Sequence, residues 1–338
     1  MAAEKIAIKV YHGYGHTSDL VVYGHTFRKL PPAYKSQSSN SFTNLFRLLR
    51  LFFVKPVPRV PLQIKWEQQI IDAVSEDDGF FKGEWQAAPT TPGWHPVTVQ
   101  LAANELNPSK AEGLIYIPHK TQYAYVSDID DTIMVSHSAT IWKRLKELLF
   151  KNPHSRTIFP DTALHYQLLA KSHASEEEPN PFFYVSSSEW NLYNYLSDVF
   201  SFHGLPEGAF LLNQVKRWYQ LWKTGKTKHE GKLLRIIRIL DTFPTHRFIL
   251  MGDNSQSDPP IFARLVEKYG HRIYAIYIRD VRKENREATN SILSSLDAQG
   301  IHTLQFSHSR EAIKHSASIG LIEPEMISSM KQDRKRYF

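Results

Sequence analysis

Hydrophobic and polar positions change their rhythm once along the chain, near residue 119. Before that point, short stretches alternate apolar and polar residues, which is the pattern of half-buried β-strands. These predicted strands lie at 5–11, 19–28, 62–66, 79–86, 96–103 and 113–117. The glycine-containing residues 12–15 are predicted to form a turn after the first strand. Residues 1–118 are therefore predicted to form a small, mainly β domain.

After residue 119, continuous apolar runs alternate with amphipathic stretches. Five runs have the length and composition of buried parallel strands, and they lie at 123–126, 182–185, 209–212, 248–251 and 273–278. Amphipathic stretches of helical length occur at 139–150, 160–173, 189–202, 229–242 and 257–269. This alternation predicts a Rossmann-like, doubly wound α/β sheet over residues 119–338, completed by carboxyl-terminal helices. In such sheets, ligands bind beyond the carboxyl ends of the strands.

Composition excludes several classes of protein. Hydrophobic residues make up 42% of the 338 residues and charged residues 22%, so the chain can bury a core and is not wholly disordered. The absence of cysteine excludes disulfides, thiolate metal ligands and cysteine nucleophiles. No apolar run is long enough to span a bilayer, and Glu4, Lys5 and Lys9 stand where a secretory signal would be apolar. We therefore expect a cytoplasmic protein, with peripheral membrane attachment as an open alternative.

The net charge of +7 is concentrated at the start of the chain, because residues 1–60 contain nine basic and two acidic residues. Within a basic insertion at 31–60, the segment 45–55 is predicted to form an amphipathic helix. Such a helix can lie in a membrane interface, where its basic side chains would meet anionic headgroups. The candidate membrane contacts are Arg47, Arg50, Phe52, Phe53 and Lys55. A helix packed on the β domain is the alternative, and the sequence leaves it open.

The first strand of the predicted α/β sheet is followed by two close aspartates, Asp128 and Asp130, and then by Thr132. Repulsion between the carboxylates would be costly without a cation. A calcium loop would require Gly at its sixth position and Glu at its twelfth, but Ile133 and Ala139 stand there. A turn in which aspartate side chains cap backbone amides is the structural alternative.

Three further features follow along the chain. The fourth strand is followed by Asp253, with Asp258 close behind, and hard oxygen donors on neighbouring strand ends suit Mg²⁺. Ser186 follows the second strand and either binds an anion or caps a helix. Lys232 begins an amphipathic helix, where its charge opposes the helix dipole unless a negative charge lies nearby. Each feature has a structural explanation alone, but their joint occurrence in this order favours a shared site.

These residues resemble the four motifs of the haloacid dehalogenase superfamily of aspartate-nucleophile phosphatases. The motifs are Asp128-x-Asp130-x-Thr132, Ser186, Lys232, and Gly252-Asp253 with Asp258. More closely, the chain is similar to the magnesium-dependent phosphatidate phosphatases of the actin-patch-protein type. The segments that carry this resemblance are 12–15, 127–133, 184–186, 190–193, 252–259 and 276–281. It covers most of residues 5–285.

The resemblance implies a haloacid dehalogenase fold and an aspartyl-phosphate mechanism. Asp128 would be the nucleophile and Asp130 the general acid and base. Ser186 would orient the phosphoryl oxygens and Lys232 would offset their charge. The implied reaction is the hydrolysis of phosphatidate to diacylglycerol and phosphate.

The resemblance also implies a Mg²⁺ cofactor. Asp128, Asp253 and the backbone carbonyl of Asp130 would hold the ion. Asp258 would fix Lys232 or a metal-bound water, and Thr132 would brace the turn.

Two other functions remain open at this stage. The first is a phosphatase of a soluble phosphomonoester or a phosphoprotein, and the second is a catalytically silent, membrane-associated adaptor. The intact pair Asp128 and Asp130 argues against the adaptor. The expected partners are a phosphomonoester substrate and an anionic membrane surface. No nucleic-acid partner is expected, because no nucleic-acid-binding motif accompanies the basic region.

Overall fold

A computed structural model of the chain describes residues 6–16, 19–30, 55–88, 90–102, 109–119, 123–135, 157–175, 178–213 and 227–327. The predicted helix at 139–150 lies outside the described residues, as does the segment 45–55 apart from Lys55. Four of the candidate membrane contacts, Arg47, Arg50, Phe52 and Phe53, therefore lie outside them too. No helix within the described ranges is long and apolar enough to cross a membrane.

Within the described residues, the first sheet has eight strands. Seven of them lie in the order β1-β3-β2-β8-β7-β4-β5, and β6 pairs with β3. The strands are β1 (Ala7–Val10), β2 (Gly13–His16), β3 (Asp19–Phe27), β4 (Pro61–Trp66), β5 (Gln69–Val74), β6 (Phe80–Trp85), β7 (Gly93–Leu101) and β8 (Lys110–Ile117). Alternation sets the inner face: in β4, Leu62, Ile64 and Trp66 are buried between more exposed neighbours. The prediction of a mainly β amino-terminal region is confirmed.

The predicted turn at 12–15 is wrong, because Gly13–His16 form strand β2. This strand pairs antiparallel with β3 and parallel with β8. Its two glycines permit a very close approach of the neighbouring backbone. A Cβ atom at Gly13 would lie 2.2 Å from the carbonyl oxygen of Val21, and one at Gly15 would lie 2.1 Å from that of Asp19. The glycines thus serve strand packing.

As far as the described ranges show it, the second sheet has six strands, all parallel, in the order β11-β10-β9-β12-β13-β14. The strands are β9 (Tyr123–Ser127), β10 (Phe182–Glu189), β11 (Ala209–Asn213), β12 (Arg247–Asp253), β13 (Ile273–Arg279) and β14 (His302–Phe306). The chain first adds strands on one side of β9 and then on the other. In doubly wound sheets, such a reversal places the ligand site at the carboxyl ends of the central strands. The prediction of a parallel α/β sheet is confirmed.

In the part of the chain that the structure describes, six helices accompany this sheet: α1 (Thr162–Lys171), α2 (Tyr193–Phe202), α3 (Thr227–Thr242), α4 (Asp258–Tyr269), α5 (Arg286–Asp297) and α6 (Ser309–Ser318). Helices α3, α4 and α5 contact one another in series, and α1 contacts α6. Right-handed crossovers place these two groups on opposite faces of the sheet. Sequence patterning missed β5 and β14, both of them strands at a sheet edge with few fully buried positions.

The two sheets meet through a layer of aromatic rings. Tyr11 stacks on Trp190 with ring centroids 4.4 Å apart, and Tyr14 meets the ring of Phe183 edge-on at 5.3 Å. These tyrosines belong to the same buried cluster as the core of the parallel sheet. The boundary between residues 118 and 119 stays a prediction, but the packing across it is continuous.

Candidate active site

Three buried carboxylates converge at the carboxyl ends of the central strands. Asp128 follows β9, Asp253 ends the adjacent strand β12, and Asp258 begins α4. One oxygen of each lies within 4.8 Å of the others. None of the three residues is more than 3% exposed. The structure thus brings the aspartates of the two predicted strand ends together.

Lys232 supplies a positive charge to this cluster. Its Nζ lies 2.8 Å from Oδ1 of Asp128 and also forms an ion pair with Asp258. Burial by itself would lower the pKa of Lys232, but the two carboxylates raise it above its usual value. Helix α3 begins at Thr227, so the prediction that Lys232 begins a helix is wrong: the residue lies in the second turn, and its acidic neighbours compensate its charge. This is the partner expected for Asp258, although a role for that residue at a bound water stays a prediction.

The acidic cluster carries more negative charge than Lys232 can balance. Burial raises the pKa of Asp128 well above its usual range, with Lys232 acting in the opposite direction. Burial and the charge of Asp258 raise the pKa of Asp253 to about 7, against the hydrogen bonds from Ser255. Clustered, desolvated carboxylate oxygens are the donor set that a hard divalent cation requires. The residues present therefore fit such an ion.

Asp130 is oriented toward hydroxyl groups at the end of β10. The hydroxyls of Ser186 and Ser188 donate to its Oδ2 at 3.3 and 3.4 Å. The backbone N–H of Ser188 in turn donates to Oγ of Ser186 at 2.9 Å. The predicted helix at 189–202 begins only at Tyr193, after the 3-10 turn Trp190–Leu192, so the explanation of Ser186 as a helix cap is wrong.

The turn after β9 connects these groups. The hydroxyl of Thr132 donates to Oδ2 of Asp128 at 3.5 Å and to Oδ2 of Asp253 at 3.4 Å. Asp131 adopts the left-handed conformation, with φ of 60°, and its carboxylate accepts a hydrogen bond from Ser255 at 3.3 Å. Thr132 therefore spans the two strand ends, while the tight turn separates the side chains of Asp128 and Asp130.

Several residues of this region were not predicted from the sequence. Asn254 accepts from the backbone N–H groups of Val281 and Arg282 and so ties the loop after β12 to the loop after β13. Arg235 on α3 donates to the backbone carbonyl of Ser186 at 3.3 Å. In the sequence, the serine run at 186–188 and the Asp-Asn pair at 253–254 could have indicated further site residues, whereas no pattern indicated Arg235.

Lys55 is the candidate membrane contact that lies within the described residues. Its side chain is exposed, and its backbone carbonyl accepts a hydrogen bond from the N–H of Arg28 at 2.9 Å. The exposed side chain is free to meet an external surface, and membrane contact stays a prediction.

Comparison with known proteins gives a family likeness over the parallel sheet. Residues 123–280 match the family model described as the catalytic domain of phosphatidate phosphatase APP1. Phosphatidate phosphatase APP1 of Saccharomyces cerevisiae is 25% identical over 181 residues, which are 52% of this chain and 30% of that protein. An uncharacterized protein of Schizosaccharomyces pombe is 24% identical over 161 residues, covering 47% of this chain and 25% of its own. The chain thus matches less than a third of either relative.

Among solved structures, a carbohydrate acetylesterase from Xanthomonas citri aligns with 91% of this chain and 72% of its own. Its sequence identity is 10% and its TM-score is 0.30. A TM-score this low does not indicate a shared fold, so the alignment says nothing about function.

Proposed function

We propose that this protein is a Mg²⁺-dependent phosphatase that hydrolyses phosphatidate to diacylglycerol and phosphate. One observation carries the proposal: the segment that matches the phosphatidate phosphatase family model also contains the buried acidic cluster at the switch point of the sheet. The haloacid dehalogenase fold and peripheral attachment through 45–55 are parts of the same proposal.

In the first step, a carboxylate oxygen of Asp128 attacks phosphorus and the bond from phosphorus to the glycerol oxygen breaks. Asp130 gives its proton to the departing oxygen, so diacylglycerol leaves neutral and Asp128 carries the phosphoryl group. Lys232, 2.8 Å from Asp128, offsets negative charge on the phosphoryl oxygens. When substrate is bound, the hydroxyl of Ser186 turns away from Asp130 and donates to one of those oxygens, which orients the group.

In the second step, water attacks the phosphorus of the aspartyl-phosphate. Asp130, now a carboxylate, takes the proton of that water, and the bond between phosphorus and Asp128 breaks to release phosphate. When bound, Mg²⁺ would supply positive charge beside the phosphoryl group, held by Asp128, Asp253 and the backbone carbonyl of Asp130. Asp258 keeps Lys232 in place throughout, since the two already form an ion pair.

The direct test measures phosphate release from phosphatidate in detergent micelles, with and without Mg²⁺. We expect activity in the wild type only with the metal, and a fall in kcat of about 10³-fold or more for Asp128→Asn, because the amide cannot attack phosphorus. Asp72→Asn is the matched control, since Asp72 is exposed on the edge strand β5. It should keep wild-type activity.

A substrate panel separates the remaining functions. Glycerol 3-phosphate and a phosphoserine peptide present the same ester without a lipid. If these are hydrolysed and phosphatidate is not, the protein is a phosphatase of soluble phosphomonoesters and the lipid part of the proposal is wrong. If no substrate is hydrolysed in the presence of Mg²⁺, the enzymatic proposal fails and the adaptor is favoured.

A further inference from the structure

Arg279 is a buried cation beside the acidic cluster, and the mechanism above does not use it. It ends β13, is paired in register with Asp253 on β12, and is 2% exposed. Arginine stays charged in proteins, and burying a charge costs several kcal/mol unless it is compensated. Asp253 and Glu311 attract this guanidinium through space, but among the described residues no carboxylate forms an ion pair with it within 4.0 Å. An apolar residue would cost less here if only packing mattered.

Instead, the guanidinium donates hydrogen bonds to uncharged oxygens of three different elements. Its Nε donates to the backbone carbonyl of Thr132 at 2.8 Å. Its Nη2 donates to the hydroxyls of Thr162 and Ser309, both at 3.0 Å. Thr162 begins α1 and Ser309 begins α6, so the planar fork joins the turn after β9 to two helix starts.

Two aromatic rings hold the guanidinium in place. Its central carbon lies 4.2 Å from the ring centre of Phe159 and 4.7 Å from that of Phe306. Such contacts stabilise a desolvated cation and restrict its rotation. The direction of the Nε–H donor is therefore fixed before any substrate binds.

Thr132 is consequently held from two directions. Its hydroxyl bonds Asp128 and Asp253, while its carbonyl oxygen bonds Arg279. We propose that Arg279 is a positioning residue, which anchors the carbonyl of Thr132 and thereby keeps Asp128 and Asp130 aimed at the phosphoryl group. This inference rests on the proposed phosphatase function and extends it to a residue that does not touch the substrate.

The first variant is Arg279→Lys, which keeps the positive charge but loses the planar fork. We expect kcat per folded molecule to fall about 10- to 100-fold while KM changes less than about threefold, because a misplaced nucleophile slows the chemical step without removing a substrate contact. Arg247→Lys is the matched control, since Arg247 is exposed and lies at the opposite end of β12. It should leave both constants unchanged.

A second variant covers the case in which Arg279→Lys does not fold. Thr162→Val leaves Arg279 intact and removes one acceptor of its fork, so kcat should fall about threefold to tenfold with KM nearly constant. If either folded variant keeps the wild-type kcat, or if a variant changes KM alone, the inference is wrong.

A binding measurement separates this inference from the proposed function. Beryllium fluoride with Mg²⁺ mimics a phosphoryl group on an aspartate and requires no substrate. It should raise the Tm of the wild type, not that of Asp128→Asn, and should raise that of Arg279→Lys by less than half as much. If the wild type shows this shift but hydrolyses no phosphate ester, the proposed function fails and the positioning role stands. If the wild type shows no shift, both fail.

Discussion

The absence of a Cβ atom at Gly252 determines the geometry of the acidic cluster. A Cβ at this position would lie 2.4 Å from Oδ2 of Asp258 and 2.7 Å from its Cβ. The backbone N–H of Asp253 also donates to that oxygen at 3.2 Å. Only glycine lets the backbone of β12 pass this close to the carboxylate that pairs with Lys232.

Gly252→Ala should therefore displace Asp258 and loosen Lys232. We expect the free energy of unfolding to fall by about 1–3 kcal/mol, as for other overpacked buried positions, and phosphatase activity to fall at least about tenfold. Urea unfolding and phosphate release measure the two effects. Gly270→Ala is the control, because Gly270 has helical dihedral angles and its added Cβ meets only Val266 at 3.3 Å. An unaltered Gly252→Ala protein would contradict the assigned geometry.

At the residue scale, the charged aspartates of the candidate site could be predicted from the sequence, but residues that position them could not. Asp128 and Asp253 could be predicted because each closely follows a continuous apolar run, and strand ends of a parallel sheet share an edge. Ser188 and Arg279 could not be assigned in this way, because their partners are 58 and 147 residues away in sequence. Only the packed fold brings those partners together.

At the scale of elements, α1 and α6 are joined by a buried histidine. His165 on α1 forms a hydrogen bond through Nε2 to the hydroxyl of Ser316 on α6 at 3.0 Å. Its ring also meets Tyr277 of β13 edge-on at 5.8 Å. Burial lowers the pKa of His165 to about 3, with the charge of Arg279 acting in the same direction. The helix pair is thus held by a neutral imidazole.

This histidine should make stability depend on pH. In the unfolded chain His165 binds a proton below about pH 6.5, whereas in the folded protein it does so only near pH 3. The contribution of His165 to stability is therefore complete above pH 6.5 and declines as the pH falls. Between pH 7.5 and 4.5 this residue alone should account for a loss of about 2–3 kcal/mol.

Urea unfolding at both pH values, compared with His165→Gln, tests the size of the loss. The variant cannot titrate, so its decline should be smaller by that amount. His271→Gln, at an exposed position in a 3-10 turn, should decline like the wild type. Parallel slopes for all three proteins would show that His165 is not the cause.

Strong patterns among the elements were predictable and weak ones were not. The buried strands β9 to β13 are continuous apolar runs, because helices cover both faces of the sheet. The edge strand β14, with the sequence HTLQF, has one buried position among five, so its composition resembles a loop. In β2, the glycines that permit close strand packing are also the residues typical of turns, which explains the wrong prediction there.

At the scale of the whole molecule, the two sheets share contacts that extend to helix α3 of the candidate site. Arg238 on α3 forms an ion pair with Glu84 of β6, and its guanidinium lies 5.6 Å from the ring centre of Tyr23. Thr242, at the end of the same helix, donates to Asp19 at 3.3 Å. Helix α3 therefore carries Lys232 near its start and contacts the β domain along its later turns.

Trp190→Ala tests this coupling, because Trp190 stacks on Tyr11 across the interface. Truncating a buried tryptophan typically costs about 3–5 kcal/mol. We expect one calorimetric transition for the wild type and two for the variant, since its sheets would then unfold independently. Phe202→Ala is the control, as Phe202 is 52% exposed, and it should keep one transition within about 0.5 kcal/mol of the wild type. One unshifted transition for Trp190→Ala would contradict the coupling.

The aromatic layer joins residues inside and outside the segment that matches the family model. Trp190 and Phe183 lie within residues 123–280, which match the family model, whereas Tyr11 and Tyr14 lie far outside that segment. Replacing an aromatic ring on one side of the layer therefore changes the packing of the rings on the other side. A boundary defined by sequence similarity thus falls inside one continuously packed core.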